Sequence, residues 1–366
     1  MVTGAYGRQW ISPKASDAFE AHLLEGDLHS MKGNLNESMR VYKQIESHNQ
    51  IAKRRIAIAK RQLKKAINAN ATLTVADELS IGFIDWYQGF ENDSDSILSL
   101  FYDAGLSPRL SSVNDADILV CGAYGNQLVN DKRLSEDKLV ILFTGENICP
   151  SYDIHDFSIS TRTRSYCGKN VRYPQWFSEL KLGKEEIHFR NYGEFEHRQT
   201  RRRDIAISAI YNNSTPEREE MLYLLRQYFG EENVRIFGSQ RCGHINKLDI
   251  LAKSIINVCF ENSLGEGYVT EKLLHAKIMG CNALYWGDQA CAMDFNQEDV
   301  FNIRDANTSD DIIEWCRKRI NTPPPPPPPC VKLVDRSLFN LVPSHNHIYS
   351  HINAWSKIVL GWRKWG

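Results

Sequence analysis

No stretch of the 366 residues approaches the roughly 20 consecutive apolar positions of a membrane span. The first ten residues also lack the apolar centre of a secretory leader. Nor is there any metal-ligand spacing: the nine cysteines are scattered, odd in number and free of any CxxC pair. That usage fits reduced thiols, and a cytoplasmic protein is the expectation. Excess charge is missing too, since 44 Lys and Arg stand against 45 Asp and Glu. A globally basic nucleic-acid binder is thereby excluded. Disorder is excluded by 42% hydrophobic and 24% charged residues. What remains is a globular chain with length for about two or three domains.

The first 75 residues read as helices. Leu24, Leu28 and Met31, then Leu35, Met39, Tyr42 and Ile45, recur every three or four positions around a Gly33-Asn34 break. This is the pattern of a helical hairpin, similar to one tetratricopeptide unit with no second copy. A third helix carries Ile56, Ala59, Leu63 and Ile67 on one face, with Lys53, Arg54, Arg55, Lys60, Arg61, Lys64 and Lys65 beside them. The first reading of that charge is a solvated face; the second is a peripheral contact with an anionic membrane or protein.

From residue 76 the grammar changes to short apolar runs alternating with helices, the signature of α/β layers around parallel sheets. Residues 76–190 form a first unit with strands at Ile81–Ile84, Asp117–Cys121 and Leu139–Phe143. Residues 191–322 form a second, with strands at Asp204–Ile210, Val234–Phe237, Ile255–Phe260 and Asn282–Trp286. Ser214-Thr215-Pro216-Glu217 has the form of a capping box opening a helix. Another helix is expected over Tyr268–Met279. Residues 323–366 begin with seven prolines, a stiff spacer. They end in Ile348, Ile352, Trp355, Val359 and Trp362, an amphipathic helix that either packs on the body or meets a membrane surface or protein.

Ligands of open α/β sheets sit at the carboxyl ends of strands. After Ile255–Phe260 come Glu261, Asn262 and a Gly-containing turn, then Tyr268-Val269-Thr270-Glu271-Lys272 opening a helix. A helix start and a lysine suit a phosphate, and an acceptor-only carboxylate suits sugar hydroxyls. Arg218, in the first turn of the helix after the unit's first strand, could fork onto a diphosphate. In the first unit Glu146 follows an apolar strand, where a general base could meet an acceptor. Asp93-Ser94-Asp95 and Asp115-Ala116-Asp117 have the spacing of a metal-binding pair. They read better as a helix start and a strand edge, and the histidines near 345–351 as a helix start.

Cys259-Phe260-Glu261-Asn262-Ser263 with Gly267-Tyr268-Val269-Thr270-Glu271-Lys272-Leu273 resembles the donor signature of the α-1,3-fucosyltransferase family. Phe143-Thr144-Gly145-Glu146-Asn147 resembles that family's N-terminal motif. Weaker matches at Asp85-Trp86, Arg218, Phe237-Gly238 and Tyr285-Trp286-Gly287 keep the order, and the likeness spans about residues 81–320. Gly267, where animal members place Asp, makes it bacterial-like, with an added helical N-terminus.

The resemblance implies an α/β fold of two Rossmann-like domains (GT-B type), flanked by the helical hairpin and the C-terminal helix. It implies transfer of L-fucose from GDP-fucose, with inversion, to a glycan hydroxyl such as O3 of GlcNAc or Glc. Lys272 and Arg218 would neutralise the diphosphate and Glu271 would hold donor hydroxyls. Asn262, Tyr268, Val269, Thr270 and Gly238 would complete the donor pocket. Glu146 would be the base, with Glu261 as a second carboxylate acting on the fucose. No cofactor or divalent metal is expected. Acceptor contacts would come from loops near 87–95 and 124–133, which carry no readable code. The alternatives are another GDP-sugar or linkage, or an interaction protein built on an inactive core.

Overall fold

A computed structural model describes residues 16–32, 34–46, 49–69, 79–90, 94–166, 168–182, 186–189, 203–238, 246–324, 334–340 and 346–360. The polyproline run and the end of the C-terminal helix thus lie largely outside the described residues. The chain divides into two compact units, Met1–Tyr173 with His345–Gly366, and Pro174–Ser344.

Unit 1 opens with α1 (Ser16–Met31), α2 (Leu35–Lys43) and α3 (Gln50–Ala69). Asn49 starts α3 by accepting from the Ile51 and Ala52 N–H groups at 2.9 and 3.2 Å. The α3 arginines are not a solvated face. Arg55 pairs with Asp27 at 2.8 Å and with Asp156 at 3.0 Å, and Arg54 reaches Asp156 at 3.3 Å. Arg61 pairs with Asp117 at 3.0 Å and with Asp137 at 3.3 Å. Arg54 and Arg55 are buried, whereas Lys53 and Lys60 stay exposed. The three arginines are thus taken up within the unit by acids 28 to 102 residues away in the chain, while Lys53 and Lys60 keep their charge at the surface.

The sheet of unit 1 is parallel throughout. It comprises β1 (Leu79–Ile84), β2 (Pro108–Leu110), β3 (Ile118–Cys121), β4 (Leu139–Phe143), β5 (Phe157–Ser160) and β6 (Asn170–Arg172), with α4 (Ser94–Asp103) after β1 and α5 (Gln127–Asn130) after β3. The strand order is β2-β1-β3-β4-β5-β6. The C-terminal helix Asn346–Leu360 belongs to this unit. Its Ile348, Ile352, Trp355 and Ile358 are buried, and Trp355 stacks on Phe157 with centroids 4.5 Å apart. This described part of its apolar stripe is therefore covered by the unit itself.

Unit 2 begins with Pro174, so residues up to 190 do not all pack with the first α/β unit. Trp176 explains this: it lies against Phe295 and Phe339, and its indole N–H donates to Asp294 at 3.1 Å. A short antiparallel pair comes next, β7 (Leu180–Leu182) and β8 (Ile187–Phe189). The main sheet contains β9 (Ile205–Ile210), β10 (Val234–Phe237), β11 (Ser254–Phe260), β12 (Asn282–Trp286) and β13 (Val300–Asn302), all parallel in the order β10-β9-β11-β12-β13. Among the described residues, α6 (Pro216–Phe229), α7 (Lys247–Lys253), α8 (Glu271–Ile278) and α9 (Cys291–Asp294) lie between these strands, and α10 (Ser309–Asn321) follows β13.

The unit 2 core runs through Ile207, Leu225, Val234, Ile256, Leu284 and Ile313. Each such side chain contributes about 1.5–3 kcal/mol on burial. All seven β11 positions are buried, as a central parallel strand covered on both faces requires. Two local expectations need correction. The α6 cap is Thr215, which accepts from the Arg218 N–H, while the Ser214 hydroxyl donates to Glu219. Helix α8 starts at Glu271, three residues late, because the Thr270 N–H is drawn to Glu261.

Candidate active site

In unit 2 the strand order reverses between β9 and β11, which makes their carboxyl ends the crevice of the sheet. The β9 end leads to Thr215 and α6, which carries Arg218. The β11 end leads to Glu261 and then to α8. Gly238 closes β10 where a Cβ would overlap the Tyr211 carbonyl oxygen, so the loops beyond β9 and β10 meet at backbone distance.

Glu261 organises the β11 end. Its carboxylate has no exposed surface. It accepts from the Thr270 N–H at 2.8 Å, the Thr270 hydroxyl at 2.7 Å and the Lys272 ammonium at 3.4 Å, with the Tyr285 hydroxyl at 3.5 Å. Burial pushes this carboxyl up, and Lys272 and the Thr270 bonds oppose that push. Burial works against the Lys272 charge as well, but Glu261 and Glu271 hold its pKa above the ordinary lysine value. Lys272 also donates to the Thr270 hydroxyl at 2.9 Å. The ammonium is thus fixed in the first turn of α8, next to the positive end of the helix.

Glu271 stands beside it. The burial that would raise its pKa is outweighed by Lys247, Lys272 and His275, and its carboxyl is held down to about 2. One oxygen accepts from Lys247 at 3.3 Å, while the Glu271 N–H donates to Gln175 at 3.0 Å. Arg218 is 1% exposed. Its guanidinium donates to the carbonyl oxygens of Asn213, Phe260 (2.6 Å) and Glu261 (3.4 Å) and to Asn262 Oδ1 (3.2 Å), and it lies over the Tyr211 ring. A diphosphate would reach that fork only by displacing main-chain acceptors. Lys272 and Arg218 nevertheless flank the same residue, Glu261, from its two ends. Tyr268, Val269 and Thr270 are buried behind them, and Asn262 is exposed.

In unit 1, Glu146 lies just past β4 in a pinned loop. Its N–H donates to the Thr144 hydroxyl at 3.0 Å, and Arg162 holds Asn147 and the Ile148 carbonyl at 3.1 and 3.4 Å. Among the described residues, only Tyr124 bonds the Glu146 carboxylate, donating its phenolic hydrogen to Oε1 at 2.9 Å. The second Asp-x-Asp pair is otherwise employed. Asp115 accepts from Ser112 and Asp117 from Ser80, each at 2.7 Å, while Asp93 lies outside the described residues. No cluster of three metal-ligating side chains occurs among the described residues.

Residues 81–178 match the Alpha-(1,3)-fucosyltransferase FucT N-terminal domain family. The chain is similar to the α-(1,3)-fucosyltransferases. It is 23% identical over 228 residues to the Alpha-(1,3)-fucosyltransferase FucT of Helicobacter pylori, a match covering 53% of this chain and 47% of that protein. The shared region therefore spans about half the length of this relative.

Solved structures extend the likeness of fold. An α1,3-fucosyltransferase with GDP-fucose aligns with a TM-score of 0.54 at 20% identity, covering 78% of this chain and 93% of that one. Another α1,3-fucosyltransferase structure aligns with a TM-score of 0.53 at 18% identity, covering 79% and 84%.

Beside the family motifs, sequence reading missed Gln175 and Lys247, and it placed Tyr124 in an acceptor loop without seeing its bond to Glu146. Each acts from a distant part of the chain, and no local spacing marks it. Tyr285 could have been found, since it lies in the Tyr-Trp-Gly run that the family shares. No helix among the described residues is long and apolar enough to cross a membrane.

Proposed function

We propose that this protein transfers L-fucose from GDP-fucose to a hydroxyl of an acceptor sugar, with inversion, in a reducing cytoplasmic compartment. The observation that carries the reading is the charge arrangement at the unit 2 switch point, where Lys272 is locked by Glu261 and Thr270 at the start of α8. Negative charge grows on the departing diphosphate as the glycosidic bond breaks. A preorganised cation and helix end are suited to meet it.

In a single displacement the acceptor oxygen bonds to the anomeric carbon while GDP leaves with the bonding pair, and the acceptor proton passes to Glu146. Tyr124 occupies one oxygen of that carboxylate and leaves the other for the acceptor hydroxyl. Glu271 would accept from donor hydroxyls, with Asn262, Tyr268, Val269, Thr270 and Gly238 lining the donor side. Glu261, with its carboxylate enclosed, supports Lys272 and Thr270 in this reading. Lys272 takes the part that a divalent ion plays elsewhere, and Arg218, whose donors are held by main-chain carbonyls, adds to it through its charge. O3 of GlcNAc or Glc is the proposed attachment point.

Calorimetry with GDP and GDP-fucose, with and without EDTA, tests this. Binding of both that survives EDTA, together with GDP release on adding acceptor, is expected. No binding would overturn the reading, and loss of activity with EDTA would overturn its metal independence.

A further inference from the structure

Unit 1 has a switch point of its own. Its strand order reverses between β1 and β3, so a second crevice is defined by the carboxyl ends of those strands. The backbone there is strained and heavily braced. Asp85, just beyond β1, has φ +60°, a left-handed conformation that costs a residue with a side chain about 1–3 kcal/mol. The surroundings hold it. Its carboxylate accepts from the Gln127 and Leu128 N–H groups at 2.7 and 3.1 Å, and its carbonyl accepts from the Tyr124 N–H at 2.9 Å. Gly125 lies so close that a Cβ would overlap the Asp85 carboxylate. The loops after β1 and β3 are in effect one rigid piece.

That piece displays aromatic rings. Trp86 donates to the Val120 carbonyl at 2.9 Å and stacks on Phe90 with centroids 3.9 Å apart. On this floor stand Tyr87 and Tyr124, 41% and 53% exposed, with centroids 5.4 Å apart and planes at 87°. The two rings form an open corner, and Tyr124 reaches Glu146 from it.

We propose that this corner is a hexopyranose-binding site: the C–H face of the acceptor sugar lies on Tyr87 and Tyr124, and Tyr124 is the positioning residue for Glu146. The inference deepens the fucosyltransferase reading and rests on it. A hexopyranose has an apolar face and a polar rim, matching rings that carry hydroxyl tips. The carboxylate bonded to the corner is acceptor-only, which suits a sugar hydroxyl and repels a phosphate. A rigid site at a switch point suits a small ligand better than a protein, whose interface needs a far larger patch.

The test uses the full-length protein, GDP-fucose, and N-acetyllactosamine or lactose as probes. Tyr87→Ala is expected to raise the acceptor KM about tenfold, with kcat and the GDP-fucose KM within about twofold of wild type. Tyr87→Phe is expected to rescue it, because the ring supplies the contact. Tyr124→Phe is expected to lower kcat about tenfold while the GDP-fucose KM holds, a split that loss of fold would not produce.

An unchanged acceptor KM in Tyr87→Ala, or an unchanged kcat in Tyr124→Phe, overturns the assignment while leaving fucose transfer intact. A wild type that releases fucose from GDP-fucose yet is indifferent to both probes also overturns the sugar corner alone. A wild type that neither binds nor cleaves GDP-fucose overturns both readings.

Discussion

The Lys272 ammonium stands 3.4 Å from the carboxylate of Glu261, a group with no exposed surface, and both are tied to Thr270. Lys272→Ala should therefore have two effects. GDP affinity should fall about 10–100-fold, the worth of a charge-assisted contact with phosphate. Stability should fall by about 3 kcal/mol, because the Glu261 carboxylate stays buried without its cation. Calorimetry and urea denaturation read the two separately. Unchanged GDP affinity would remove Lys272 from the donor site whatever the stability shows.

Glu146 tests the acceptor half of the chemistry. Glu146→Gln keeps the shape of the side chain and can still meet the Tyr124 hydroxyl, but it cannot take a proton. Turnover should drop about 100-fold or more, with GDP affinity unchanged. A variant with normal turnover would show that the base lies elsewhere.

The α3 arginines predict stability. Arg55 is buried between Asp27 and Asp156, and Tyr42 also donates to Asp27, at 2.6 Å. Arg55→Ala takes away the cation of Asp27 and one of the two cations beside Asp156, and should cost about 3–5 kcal/mol in denaturant titration. A loss below about 1 kcal/mol would mean that the network is hydrated in solution.

His155 predicts a pH dependence. It is buried, and neither ring nitrogen has a hydrogen-bond partner among the described residues. Burial, with the nearby Arg54 cation, lowers its pKa from 6.5 to about 4. Between those values the unfolded chain binds more protons than the folded one, so stability rises with pH. The contribution is fully present above about pH 6.5 and is lost as pH falls toward about 4; the shift corresponds to about 3 kcal/mol. His155→Leu should be less destabilised than wild type by acidification from pH 7.5 to 4.5. Parallel behaviour of the two would refute the assignment.

Candidate site residues could be named from the sequence because strand ends are local events. An apolar run such as Leu139–Phe143 stops, and the polar residue just past it falls at the sheet's ligand edge, as Glu146 does. Thr270, Glu271 and Lys272 are found the same way. The short strands β2, β5, β6, β7, β8 and β13 escaped, since three or four residues hold too little periodicity to stand out. The α8 boundary was misplaced because Glu261, nine residues upstream, claims the Thr270 N–H.

By itself, then, the amino-acid order determined the two α/β layers, the helical hairpin and which polar side chains follow the strand ends, all consequences of periodicity and of the residue types just past each strand. Only the tertiary structure decided what those charges face. Arg54 and Arg55 look like a solvated stripe until Asp156 closes on them, and Arg218 looks like an open fork until the β11 carbonyls take it. Tyr124 looks like any loop tyrosine until it meets Glu146. A side chain's solvation depends on partners brought close by folding, and no spacing along the chain encodes how far away those partners begin.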